Sequence, residues 1–214
     1  MFARFAAAVA AMIVVVTASN ILVQFPVQAD LGPLHLGDIL TWGAFTYPLA
    51  FLVSDLTNRF DGPRKARAVV LVGFAVALGL SAFLSTPRIA IASATAFLIG
   101  QLLDIAVFSR LRNRFWLIPP LSASLLGSAI DTILFFSIAF APVFGFVDSF
   151  FGMADGSLGM NAPWLGVGAA APLWLSLASG DFSVKFLAAL LLLVPYRALM
   201  NVFMPLRPAV TAAG

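Results

Sequence analysis

The chain has no cysteine and no glutamate, a single histidine, and few charges of either sign. Without cysteine there are no disulfides and no thiolate metal sites, and His35 alone supplies no imidazole cluster, so neither a metal nor any other cofactor is implied. No G-x-x-x-x-G-K-[ST] run occurs, so any use of ATP would require a partner protein; no G-x-S-x-G elbow or other nucleophile motif occurs either. No internal repeat is evident. What fills the 214 residues instead is apolar: 62% are hydrophobic, 10% are charged, and the mean hydropathy is +1.04. That balance lies outside the range of a water-soluble domain and reads as a single integral membrane domain.

Six apolar stretches are long enough to cross a hydrocarbon core, which takes about 20 helical residues: 5–23, 39–57, 68–86, 89–108, 121–140 and 182–203. The expectation is therefore an all-α membrane protein of six transmembrane helices. The first stretch follows "MFAR" and fits either a span or a cleaved signal peptide; the five that follow it favour a span. Arg4, the loop "NRFDGPRKAR", the loop "SRLRNRF", Arg197 and Arg207 fall on one side of that arrangement, and only Arg88 and Lys185 do not. The bias of basic residues toward the cytoplasm then places both termini inside, and explains "SRLRNRF" without nucleic acid. Residues 163–179, "PWLGVGAAAPLWLSLAS", are apolar but glycine-rich and broken by Pro172. They read as a short interfacial or re-entrant segment before the last helix, anchored by Trp164 and Trp174 at headgroup level. "GFVDSFFGMADGSLGMN" reads as an ordinary external loop.

A charge at mid-bilayer costs about 2.5 to 3.5 kcal/mol on insertion scales, so each one kept there needs a partner or a purpose. Asp131 lies near the middle of the fifth span, on one face with Ser124 and Ser128 and beside Thr132. Gln101 and Asp104 share a face of the fourth, and Asp55 and Asn58 repeat the arrangement on the second. Asp55 also has Arg59 at i+4, the spacing of a simple interfacial salt bridge. Lys185 falls one turn inside the outer end of the last span, four residues after Asp181, with which it can pair. Asn20 and Tyr47 complete the polar inventory. Two small-residue stripes, Ala92–Ala96–Gly100 and Ser124–Ser128–Thr132, mark where helices can approach closely. Carboxylates beside amides and aromatics suit a flat ligand that offers a fork of N–H donors, such as a guanine-like edge; they would equally suit a proton, sodium or another cation.

The stretches "SDLTNRFDGPRKAR", "QLLDIAVFSRLR", "GSAIDTILFFSIAF" and "LASGDFSVKFLAALLLLVPYR" resemble the queuosine precursor transporter family of the vitamin uptake transporter group, over residues 38–200. What the resemblance implies is a six-helix importer in the bacterial inner membrane for 7-deazaguanine bases. By the same resemblance Asp55, Asn58, Gln101, Asp104, Asp131, Thr132 and Lys185 stand at motif positions. Two positions depart from it: Ser128 stands where a glutamine is frequent, and "WLIPPLS" lacks an arginine after the tryptophan. A serine offers one hydroxyl where glutamine offers an amide, so a ligand contact there is lost or bridged by water.

The expected function is a carrier that binds a 7-deazapurine near mid-membrane, with Asp131, Asp104 and Gln101 reading its N–H edge, Asp55, Asn58, Thr132, Ser128 and Lys185 completing the site, and Phe or Tyr stacking on it. One alternative is a substrate-binding membrane subunit served by a separate ATPase. Another, from a different class, is an intramembrane aspartate enzyme with an acid–base dyad. The partners implied are the small molecule and the lipid bilayer, with homo-oligomer and ATPase left open.

Overall fold

The computed structural model describes residues 2–32, 34–153 and 160–203. They form helices α1 (Phe2–Leu22), α2 (Trp42–Thr46), α3 (Leu49–Asp61), α4 (Pro63–Leu84), α5 (Pro87–Leu111), α6 (Ile118–Phe140), α7 (Gly145–Phe151), α8 (Leu173–Leu191) and α9 (Leu193–Phe203). Two small antiparallel hairpins join them: β1 (Asp30–Leu31) with β2 (Leu34–His35), and β3 (Asn161–Pro163) with β4 (Ala170–Pro172).

Helix boundaries follow local chemistry. Prolines sit in the first turn of α4, α5 and α6, where a missing N–H costs nothing and the fixed φ suits helix entry. Gly62, at φ 89°, makes the sharp reversal between α3 and α4 that a side chain would resist. Thr86 caps α5 by accepting the Ile89 N–H at 3.4 Å.

Five helical stretches are long and apolar enough to cross a membrane: Phe2–Leu22, Pro63–Leu84, Pro87–Leu111, Ile118–Phe140 and Leu173–Val202. The expected span at 39–57 is instead broken into α2 and α3, with Tyr47 and Pro48 between them. Pro48 has no N–H to return to the preceding turn, so the helix restarts there.

The end of the chain also differs from expectation. Residues 163–172 belong to the β3–β4 hairpin, where Gly166 and Gly168 lie, whereas 173–179 are the opening turns of α8. No proline or glycine interrupts "LWLSLAS", so the helix begins directly after Pro172 and not at residue 182. Lys185 is thereby placed well inside a helix and not near its end. Within the presumed external loop, Gly145–Phe151 is helical; residues 154–159 lie outside the described residues. Arg88, an exception to the basic asymmetry, is buried, donating to Asp148 Oδ2 at 2.7 Å and to the carbonyls of Ile138 and Ala141 at 2.9 and 2.6 Å. It closes the end of α6 against the start of α5.

The tightest helix pair is α5 with α6. Ala92, Ala96 and Gly100 are buried along the expected stripe, but on α6 the close approach is made by Gly127. A Cβ on Gly100 would lie 3.0 Å from both Asp131 Cβ and the Gly127 carbonyl, and one on Gly127 would lie 2.8 Å from Phe51 Cε1 and 3.1 Å from Asp104 Cβ. In lipid, where apolar burial gives helices little reason to associate, such backbone proximity supplies the van der Waals contact that holds them. An apolar core of Met12, Val16, Val69, Val70, Phe97 and Ile105 fills the space among α1, α4 and α5.

Candidate functional site

The paired glycines place Asp131 and Asp104 on opposite sides of the α5–α6 contact, and each acid anchors its own polar cluster.

In the first cluster, Lys185 Nζ of α8 donates to Asp131 Oδ2 at 2.6 Å, to Asp181 Oδ2 at 2.6 Å and to Thr132 Oγ1 at 3.2 Å. Its three protons are thus all used. Thr132 Oγ1 donates to Asp181 Oδ2 at 2.7 Å, and the Tyr47 hydroxyl donates to Asp131 Oδ1 at 2.7 Å. The ammonium also lies 5.1 Å from the Tyr47 ring centre. A buried charge is tolerable when paired and hydrogen-bonded in this way. Beside the cluster is a cavity of about 150 Å³, lined by Asn20, Tyr47, Phe97, Asp131, Phe135 and Lys185 among others. Cavities near 150 Å³ hold a single aromatic ring, and apolar walls with a few convergent polar groups are what a small-molecule site requires.

The second cluster lies nearer the basic loops. Ser124 Oγ of α6 donates to Asp55 Oδ2 at 3.3 Å, and Ser54, whose hydroxyl bonds the Phe51 carbonyl at 3.0 Å, is 3.4 Å from Asp104 Oδ2. Ser54 and Asn58, on either side of Asp55 in α3, bond Asp104 and the Ile105 carbonyl of α5, which brings the two acids together at the contact of these helices. A cavity of about 20 Å³ borders Asp55, lined also by Phe51, Ser124, Ser128, Lys185 and Tyr196. That is room for roughly one water molecule. Among the described residues, Asp55 Oδ1, Asp104 Oδ1, both amide atoms of Gln101 and the Tyr196 hydroxyl are buried without a hydrogen-bond partner. Lys185 borders both cavities.

The expected site residues therefore divide. Asp131, Thr132 and Lys185 meet at the larger cavity's polar wall, Asp55 and Ser128 border the smaller one, and Asp104 and Gln101 are fully buried and border neither. Asp131, Asp104 and Gln101 do not converge on one cavity, because the Gly100–Gly127 contact separates them. Asn58 is a fastener between helices: its amide donates to the Ile105 carbonyl and to Ser109 Oγ, both at 3.1 Å. Asp55 makes no salt bridge with Arg59, whose guanidinium instead donates to the Arg112 carbonyl at 2.6 Å. The pairing of Lys185 with Asp181 is as expected from their spacing. Tyr196 and Gly127 were not foreseen. A signal for the tyrosine existed: the chain has 21 phenylalanines and two tyrosines, and both hydroxyls fall in polar clusters.

A bundle of lipid-length apolar helices around an ion-paired, ring-sized cavity defines a multi-pass membrane protein of the small-molecule transport class. The family model described as "Putative vitamin uptake transporter" matches residues 41–84 and 80–200, and the chain belongs to this family. It is 33% identical over 216 residues to the "Queuosine precursor transporter" of Escherichia coli (strain K12), covering 90% of this chain and 84% of that one. It is 33% identical over 220 residues, with the same coverage, to the "Probable queuosine precursor transporter" of Haemophilus influenzae. A "Probable queuosine precursor transporter" of Bacillus subtilis is 27% identical over 133 residues, covering 49% of this chain and 58% of that one. No solved structure matches the chain significantly.

Proposed function

We propose that this protein imports queuosine precursors, 7-deazaguanine bases, across the bacterial inner membrane. The cavity at Lys185 is the observation that carries the site. A 7-deazaguanine is a flat ring with a fork of N–H donors; the cavity offers aromatic walls from Tyr47, Phe97 and Phe135 and carboxylates at Asp131 and Asp181. A carboxylate accepts two parallel hydrogen bonds, so the base competes with Lys185 and Tyr47 for Asp131. In this reading Asp131, Thr132 and Lys185 are contact residues, while Asp55 and Ser128 form the inner boundary. Six passes, with α2 and α3 together making the broken second one, put Arg59, Arg64, Lys65, Arg67, Arg110, Arg112 and Arg114 on one face, which the positive-inside bias assigns to the cytoplasm with both termini. A discontinuous helix beside a mid-membrane site is a recurring arrangement in carriers, since freed backbone groups then line a cavity.

The test is uptake of a labelled precursor by cells that cannot make queuosine, read also as queuosine in their tRNA. Asp131→Ala abolishes both if the reading is right; wild-type uptake in that variant defeats the site. Reconstitution of the chain alone in liposomes separates a solitary carrier, which accumulates precursor, from a binding subunit that needs an ATPase.

A further inference from the structure

Within the membrane helices, every described aspartate has a basic partner except two. Asp131 and Asp181 share Lys185, while Asp55 and Asp104 make no ion pair. They are nevertheless among the most buried side chains of the protein, exposed by 2% and 0%. Each keeps one oxygen, Oδ1, that receives no hydrogen bond. Ionised carboxylates are acceptors only, so two of them side by side repel and cannot satisfy one another. One added proton removes the repulsion and turns one acid into a donor toward the other.

An independent feature points to the same spot. Tyr196 of α9, 1% exposed, lines the water-sized cavity that Asp55, Ser124 and Ser128 also line, and its buried hydroxyl has no partner among the described residues. A hydroxyl left unbonded in such a place is poised for a water or a carboxyl proton. The charged and titratable groups around the pair come from each packed element. Arg59 at the end of α3 and Arg112 after α5 are tied to each other's carbonyls, α6 contributes the hydroxyls of Ser124 and Ser128 and, one turn further along, Asp131, α8 contributes Lys185 and α9 Tyr196.

We propose that Asp55 and Asp104 form a proton-binding site that couples proton movement to cargo transport, with Lys185 as the link. Lys185 borders both cavities. Cargo that takes over both Asp131 and Asp181, which line the larger cavity, frees the ammonium, which then turns toward Asp55 across the small cavity. Its charge replaces the proton there, and the proton leaves to water on the basic side. Return of Lys185 to Asp131 and Asp181 once the cargo has left lets the pair take its next proton from the opposite side, so each cycle carries one proton across in the same direction as the cargo. This rests on the transport reading for its cargo but not for the proton site itself.

Two measurements on the purified full chain test it. Infrared difference spectra across neutral pH are expected to show a buried carboxylic-acid C=O band that Asp104→Asn and Asp55→Asn each remove. In vesicles, a proton gradient is expected to drive accumulation of labelled precursor, with each variant losing accumulation by roughly tenfold, a coupling of ordinary size between two sites, while the variant at Asp104, which borders neither cavity, still exchanges labelled for unlabelled precursor. Absence of the band in the wild type overturns the site. A band with gradient-driven accumulation intact in both variants, or accumulation driven by sodium without proton movement, overturns the coupling. A wild type that shows the band but moves no precursor supports the proton site and refutes the cargo instead.

Discussion

The two polar clusters of the bundle sit on opposite sides of one helix contact and solve the same problem differently. Around Lys185, two carboxylates, an ammonium and two hydroxyls bond one another, and none of their buried polar atoms lacks a partner. Around Asp104, two acids meet with no base, and a tyrosine hydroxyl and a glutamine amide stay unbonded. In low dielectric a satisfied network rigidifies, whereas a part-satisfied one has capacity for another species. The first cluster is thus held until something competes for its partners, and the second is waiting for a proton or a water.

The harshest way to break the contrast is to remove an acid from each side. Asp131→Ala leaves Lys185 a buried cation with one carboxylate in place of two, and loss of one partner of a buried pair costs about 3 to 5 kcal/mol. Asp104→Asn removes no counter-ion and is expected to leave the melting temperature in detergent close to wild type. Thermal unfolding of both variants compares them directly. Equal destabilisation would mean that the second cluster also depends on fixed charge. Combining Lys185→Gln with Asp131→Asn and Asp181→Asn restores part of the stability, since no unpaired charge then remains in the cluster, but not uptake.

The tyrosines sharpen the comparison at smaller cost. Tyr47→Phe deletes a hydrogen bond to a carboxylate, a loss of about 1.5 to 3 kcal/mol. Tyr196→Phe deletes a buried hydroxyl that has no partner in this conformation, so stability is expected to stay level or rise. The same chemical change then has opposite signs in the two clusters, measurable by melting curves. If Tyr196→Phe also lowers the proton dependence of transport, its hydroxyl serves the proton and not the fold.

Much of this was legible in the sequence because membrane physics is strict. Long apolar stretches declare helices, and a mid-span acid such as Asp131 declares an inward face. The pairing of Lys185 with Asp181 followed from i, i+4 spacing. What escaped depended on depth and on neighbours distant in the chain. Lys185 looked peripheral because Pro172 and the glycines before it suggested a separate segment, when in fact the proline starts the helix. Asp104 and Asp131 looked like one site because both face inward. The Gly100–Gly127 approach that divides them is a tertiary contact between two helices, and glycine in a lipid helix announces close approach without saying to whom.

The smallest expected effect belongs to an acid–base pair outside the membrane, and it calibrates the others. On the β1–β2 hairpin, His35 Nδ1 lies 2.7 Å from Asp30 Oδ1, both well exposed. The hydrogen bond to Asp30, then its charge, raises the His35 pKa above its ordinary 6.5. A raised folded-state value means the pairing contributes fully below the ordinary pKa and fades as pH climbs through the raised one. Asp30→Asn is expected to return the His35 titration, followed by NMR, toward the ordinary value. Uptake and melting temperature should not change, because water screens the pair. The chemistry resembles that of Lys185 and Asp131, with an acid and a base at nearly the same distance, yet only the buried pair should control the fold. A measurable loss of transport in Asp30→Asn would show that the hairpin takes part in the cycle, and that burial alone does not decide which charges matter.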